Sequence, residues 1–73
     1  MNKRLYDVWF VIDVEHVLVE AENKEDAVEK ARRAPDEFHR QVESYEVYPN
    51  YVDSITLADI EDMYLDMPIY KEE

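Results

Sequence analysis

Hydrophobic and polar residues alternate in two stretches near the start of the chain. Residues 5–12 (LYDVWFVI) are rich in β-branched and aromatic residues, and residues 15–21 alternate again, so we predict two strands. One face of the first strand is apolar and is predicted to face the core: Tyr6, Val8, Phe10 and Ile12. The other face is mixed, and we expect another element, a second subunit or nothing to cover it: Leu5, Asp7, Trp9 and Val11. The short connection predicts an antiparallel hairpin, and because the chain has no glycine we expect a longer turn or a strained Asp13.

A helix with marked ends follows the second strand. Asn23 is a good N-cap, and Asp26 three residues later resembles the reciprocal acid of a capping box. Arg32 and Arg33 suit the negative end of a helix, and Pro35 disfavours helical geometry at the residue before it. A narrow stripe of small apolar residues is predicted to lie close to a sheet: Ala27, Val28, Ala31 and Ala34. Two i,i+4 ion pairs are expected on the outer side: Asp26 with Lys30, and Glu29 with Arg33.

The segment after Pro35 is predicted to add a helical turn and then a third strand. In DEFHRQ we expect Phe38 to pack on the core, with His39 and Arg40 pointing outward. Residues 41–48 then form the strand, which Pro49 ends.

Two interpretations compete for the C-terminal part. In the first, residues 50–54 are a loop and Thr56 caps a helix over residues 57–65, with Leu57, Ile60 and Tyr64 on its buried side. In the second, residues 51–57 form a fourth strand before that helix. We favour the helix, preceded by extended chain that can pair with the sheet. Residues 67–70 are a tail or an edge strand.

These elements predict one small α+β domain over residues 1–73, in the order β-β-α-β-(β)-α. Its antiparallel sheet has three to four strands, with one main helix packed on one face and a short C-terminal helix. Such a length is near the limit for a single core.

Composition narrows the classes of function. Cysteine is absent and no apolar run is long enough to cross a membrane, so we expect a soluble, cytoplasmic protein. The net charge is −11, of which residues 34–73 carry −9. A field of that sign repels nucleic acid and anionic membranes and favours a basic partner, although acidity can also serve only solubility.

Catalytic and metal motifs are missing, so we expect no enzyme, no metal site and no cofactor. His16 and His39 are interpreted as exposed histidines, and a site joining them to Asp13 and Glu15 would need the fold to bring all four together. Four C-terminal acids suggest a calcium-binding loop, but the segment lacks the central glycine of that loop. These acids are Asp59, Glu61, Asp62 and Asp66.

The stretch from residue 41 to residue 70 combines acids and tyrosines with no lysine or arginine. Tyrosine supplies stiff contact area and carboxylates suit a basic groove, so this pattern is typical of a protein that mimics nucleic acid. The predicted partner-binding residues are Glu43, Tyr45, Glu46, Tyr48, Tyr51, Asp53, Asp59, Glu61, Asp62, Tyr64 and Asp66. Alternatives are a homodimer formed through Trp9 and Val11, and a metal protein or hydrolase built on the two histidines.

The segment YDVWFVIDVEHVLVEAENKEDAVEKARR resembles the small DpnD/PcfM-like proteins of phages and mobile elements, in which a strand pair leads into an EDAVEKA-like helix. It is also similar to HicB-like antitoxins, although glycines common in their first hairpin are absent here. These resemblances cover residues 6–33 and supply no catalytic residues. They imply a compact accessory protein of a mobile element or defence system, including an antitoxin-like partner of a basic toxin.

Overall fold

The computed structural model describes residues 3–11, 15–41, 51–60 and 64–72. Over these ranges the chain is an α+β fold, an open sheet with one α-helix, as predicted. Its strands are β1 (Arg4–Phe10), β2 (Glu15–Ala21), β3 (Arg40–Gln41), β4 (Val52–Ile55) and β5 (Ile69–Lys71). The helix α1 spans Lys24–Arg33, and two 3₁₀ turns span Asp36–Phe38 and Leu57–Asp59.

The sheet is built around the hairpin of β1 and β2. Its order is β3-β2-β1-β4, and these neighbours are antiparallel. The strand β5 pairs with β2 in parallel, and it lies beyond β3 along the same edge of β2. Of the tail or edge strand predicted over residues 67–70, the part after Pro68 is a strand, Ile69–Lys71, and it pairs in parallel.

Both ends of α1 form as the sequence predicts. The Asn23 side chain accepts a hydrogen bond from the Asp26 N–H at 2.8 Å, and the Asp26 carboxylate accepts one from the Glu22 N–H at 3.2 Å. The first contact satisfies an N–H group that the first turn of a helix leaves without a partner, and the second ties the residue before the N-cap to that turn. The helix ends at Arg33, and Ala34, just before the proline, is extended.

One core lies between α1 and the sheet. It is formed by buried residues of alternate sheet positions and by the small residues of the helix: Tyr6, Val8, Val17, Val19, Ala21, Ala27, Ala31 and Ala34. Phe38 and Tyr70 pack against it with their rings 5.2 Å apart, as predicted for Phe38. The pair of Asp26 with Lys30 forms at 3.1 Å, but Lys30 is buried rather than outward, since its ammonium also donates to the Glu20 carbonyl.

The C-terminal part corrects two predictions. The loop expected at residues 50–54 is wrong, because β4 begins at Val52, which confirms the alternative of a fourth strand. The helix expected over residues 57–65 is wrong where the structure describes it: Leu57–Asp59 is a 3₁₀ turn and the backbone is extended at Ile60, while residues 61–63 lie outside the described residues. Of the third strand predicted over residues 41–48, only Gln41 is described, and it belongs to β3, which begins one residue earlier at Arg40; residues 42–48 and the hairpin turn at residues 12–14 lie outside the described residues.

Candidate binding cleft

Asp7 is the centre of a polar network on the sheet face opposite α1. Alternation along β1 turns Tyr6 and Val8 toward the helix and Asp7 the other way. Although charged, Asp7 is only 1% exposed. Its Oδ2 accepts hydrogen bonds from Trp9 Nε1 and from the Tyr64 hydroxyl, both at 2.7 Å, and its Oδ1 lies 2.9 Å from His16 Nδ1. These three partners explain how a carboxylate is buried here.

His16 is buried, so its interpretation as an exposed hairpin histidine is wrong. It is 1% exposed and lies directly across from Trp9 in the β1–β2 register. The two rings stack with centroids 4.2 Å apart. Because an ionised carboxylate only accepts hydrogen bonds, the tautomer with a hydrogen on Nδ1 is the one that fits Asp7.

A turn at residues 64–67 covers part of this face. Its backbone closes with a bond from the Met67 N–H to the Tyr64 carbonyl at 3.1 Å, and the Tyr64 ring lies 6.2 Å from that of His16. The mixed face of the first strand is thus partly covered by another segment of the same chain, one of the three options left open by the sequence. Trp9, on which the predicted homodimer depends, is half-buried and bonded within the chain.

Beside this turn lies a cleft of about 350 Å³, lined by two carboxylates and three aromatic rings. We call it the acidic–aromatic cleft, and its described lining residues are Asp7, Trp9, Tyr51, Asp53 and Tyr64. Three of them were predicted to bind a partner: Tyr51, Asp53 and Tyr64.

The other predicted binding residues do not line the cleft in the described structure. Asp59 and Asp66 are exposed and outside the lining, and Asp59 accepts a hydrogen bond from the Thr56 hydroxyl at 2.7 Å. The rest lie outside the described residues: Glu43, Tyr45, Glu46, Tyr48, Glu61 and Asp62. The sequence pattern assigned Asp7 to no binding site, Trp9 only to a homodimer interface and His16 only to a metal or hydrolase site. The mixed face of the first strand was the signal for Asp7 and Trp9.

The electrostatic potential in the cleft is negative. Asp7 and Asp53 are directly opposite each other in the register of β1 and β4, so both carboxylates are on the same face. A hydrogen bond with Asp53 raises the pKa of the Tyr51 hydroxyl; partial burial and the negative charges of Asp53 and Asp7 raise it further. Like charges that face each other across two strands are unfavourable, and a cation beside the exposed Asp53 would reduce the repulsion. Aromatic faces at the same place attract cations through their negative quadrupoles.

The four-residue site of Asp13, Glu15, His16 and His39 is not assembled. Glu15 and His39 do meet, with His39 Nδ1 3.0 Å from the Glu15 carboxylate, but His16 bonds to Asp7 on the other face of the sheet. His39 is half-buried rather than exposed, since its ring also contacts the Ala34 carbonyl and stacks on Phe10. Asp13 lies outside the described residues. Within the described ranges, no group of three potential metal ligands occurs.

Basic side chains collect at the other end of the same sheet. A second cleft of about 500 Å³ has Lys3, Arg4 and Lys71 in its lining, together with Glu20 and Thr56. Lys71 lies 3.9 Å from the Glu20 carboxylate. The register places this cleft at the Leu5 end of β1, whereas the acidic–aromatic cleft is at the Trp9 end.

Comparison with known proteins found no match: no protein-family model, no curated protein and no solved structure matches the chain. Within the described ranges, no helix has the length and apolar character needed to cross a membrane.

Proposed function

We propose that the chain is a small, non-enzymatic binding protein that occupies a basic, nucleic-acid-binding surface of a partner protein, and so acts as a nucleic-acid mimic or inhibitor. The observation that carries this proposal is the acidic–aromatic cleft, in which Tyr51, Asp53 and Tyr64 meet Asp7 and Trp9. Nucleic acid presents negative charge beside flat aromatic surfaces, and this cleft presents the same two features.

The charge of the whole chain supports the same partner. A net charge of −11 attracts a basic surface over a distance comparable to the Debye length, about 10 Å at 0.1 M salt. That charge also opposes association of the chain with a second copy of itself. Origin in a phage or mobile element, and a role against a host defence system, remain part of the proposal through the resemblance of residues 6–33.

The test begins with affinity capture from the native host, followed by purification of any captured nucleic-acid-binding protein. The purified partner is then loaded with a fluorescent DNA or RNA duplex, and the chain is added. We expect the chain to displace the duplex, and its affinity to fall steeply as salt is raised. Simultaneous binding of the chain and the duplex, or affinity independent of salt, would contradict the proposal.

A pair of variants separates the cleft from overall charge. Asp53→Asn removes one negative charge from the cleft, and Glu37→Gln removes one from the exposed 3₁₀ turn after α1. We expect Asp53→Asn to weaken binding about tenfold, as for a charge at a partly desolvated contact, and Glu37→Gln to change it less than about twofold. Equal effects of the two variants would mean that the cleft has no special role.

A further inference from the structure

The strand β4 is an edge of the described sheet. It has one neighbour among the described strands, β1, and its residues Asp53 and Ser54 are exposed. The pairing continues one residue before β4, because the Trp9 N–H donates to the Tyr51 carbonyl at 2.9 Å. This edge is therefore five residues long, about 17 Å. Unpaired N–H and C=O groups along such an edge can accept another strand.

The bond between Trp9 and Tyr51 also determines which groups of β4 face outward. In an antiparallel pair, residues that bond to each other alternate with residues that do not. Tyr51, Asp53 and Ile55 therefore bond to β1, and the backbone groups of Val52 and Ser54 point away from it. A strand added at this edge would pair with the latter two residues.

Side chains alternate in the same way, but between the two faces of the sheet. Tyr51 and Asp53 are on the face of the acidic–aromatic cleft, whereas Val52 packs against the core on the helix side. In an added strand, the residue opposite Asp53 would share its face. An arginine or lysine there would lie beside the Asp53 carboxylate and the aromatic rings.

Charge selects the occupant of this edge. A second copy of the chain would bring a molecule of net charge −11 against another, with Asp53 near the edge of both. A basic segment meets the opposite field, and its cation would lie beside Asp53, the exposed carboxylate of the facing pair.

We propose that a basic, extended segment of the partner protein adds to the edge of β4 that has no neighbour among the described strands, bonds to the backbone of Val52 and Ser54, and places an arginine or lysine side chain in the acidic–aromatic cleft. This inference rests on the proposed function, because it specifies how the basic partner is held.

Two N-methylated peptides test the backbone part of the inference. Both are seven-residue, acetylated and amidated peptides of alternating arginine and valine; one is methylated at the valine amides and the other at the arginine amides. Methylation removes donors but leaves charge and composition the same. In an antiparallel addition with arginine opposite Asp53, the valine amides bond to β4; in a parallel addition, the arginine amides do. Binding to the whole chain is measured through the fluorescence of Trp9, the one tryptophan of the sequence, which lines the cleft.

We expect one methylated peptide to bind at least about fivefold more weakly than the other and than the unmethylated peptide. Nuclear magnetic resonance should show the Val52 and Ser54 amides becoming protected from exchange, and Asp53→Asn should weaken binding of the unmethylated peptide. Similar affinities for the two methylated peptides, or no binding of the unmethylated peptide, would overturn the inference. Methylation-independent binding that still requires Asp53 and low salt would overturn edge addition alone and leave the proposed function standing.

Discussion

Replacement of Asp7 by alanine is the sharpest test of the network beneath the cleft. The carboxylate is 1% exposed and is the shared acceptor for Trp9, His16 and Tyr64. Removing one partner of such a buried charged network costs about 3–5 kcal/mol, because the remaining polar groups stay buried without a partner. A domain of this length has a total unfolding free energy of roughly 4–11 kcal/mol. Asp7→Ala should therefore remove about a quarter of the stability or more.

Two further variants allow the effect of Asp7→Ala to be assigned to the buried network. Tyr64→Phe removes one hydroxyl and leaves Asp7 its contacts with Trp9 and His16, so we expect a loss of about 1–2 kcal/mol. Asp53→Asn changes an exposed acid directly opposite Asp7 in the register; because it removes a like charge facing Asp7, it should leave the unfolding free energy unchanged or slightly raised.

Urea denaturation followed by Trp9 fluorescence and by far-ultraviolet circular dichroism measures all three variants. For a domain of this size, each kcal/mol also corresponds to about 4–8 °C in melting temperature. If Asp7→Ala does not fold, the loss in Tyr64→Phe still reports on the network. A loss below about 1 kcal/mol for Asp7→Ala would refute the reasoning, since it would mean that the three donors find other partners at little cost.

Three further outcomes follow from contacts elsewhere in the chain. Asn23→Ala should lower the unfolding free energy by about 1 kcal/mol, because it removes the cap of α1; Asn23→Ser, which can cap in the same way, should restore most of it in urea denaturation. Arg33 donates two hydrogen bonds to Glu72, and these hold the pKa of Glu72 below its usual value. Their contribution to the free energy of unfolding should therefore be complete above the pKa that Glu72 has in the unfolded chain, and it should be lost as pH falls through the pKa that Glu72 has in the folded chain. The amides of β5 should therefore lose protection from hydrogen exchange at acidic pH in the parent chain but not in Glu72→Gln. Spectrophotometric titration should find Tyr51 ionising above the usual tyrosine range, and Asp53→Asn should shift its pKa back down.

Local signals in the sequence predicted the local structure. The caps of α1 depend on residues within four positions of one another, and the faces of β1 follow from simple alternation, so both could be read directly. The burial of Asp7 depends on Tyr64, which is far away along the chain. Nothing near Asp7 distinguishes a covered strand face from a solvated one, so the network could not be predicted.

The errors have the same origin. His16 is the second residue of β2, close to the hairpin turn, and its burial follows from stacking with Trp9 and from the contact with Asp7, neither of which the local sequence indicates. The apolar spacing of Leu57, Ile60 and Tyr64 indicates a helix, yet the backbone is extended at Ile60 and Tyr64 bonds to the sheet. Tertiary contacts overrode a weak periodic pattern in this segment.

The parallel pairing of β5 with β2 bears on how the chain reaches its native state. Leu18 is paired with Ile69, so this contact closes a loop of about fifty residues, whereas β1 and β2 meet through a short hairpin. We expect the hairpin and α1 to collapse first and β5 to dock late, a hypothesis that kinetic analysis of Ile69→Val would test through its effect on the refolding and unfolding rates. Until β5 docks, half of the outer side of β2 is an open template for intermolecular pairing, so refolding yield should decline as protein concentration rises.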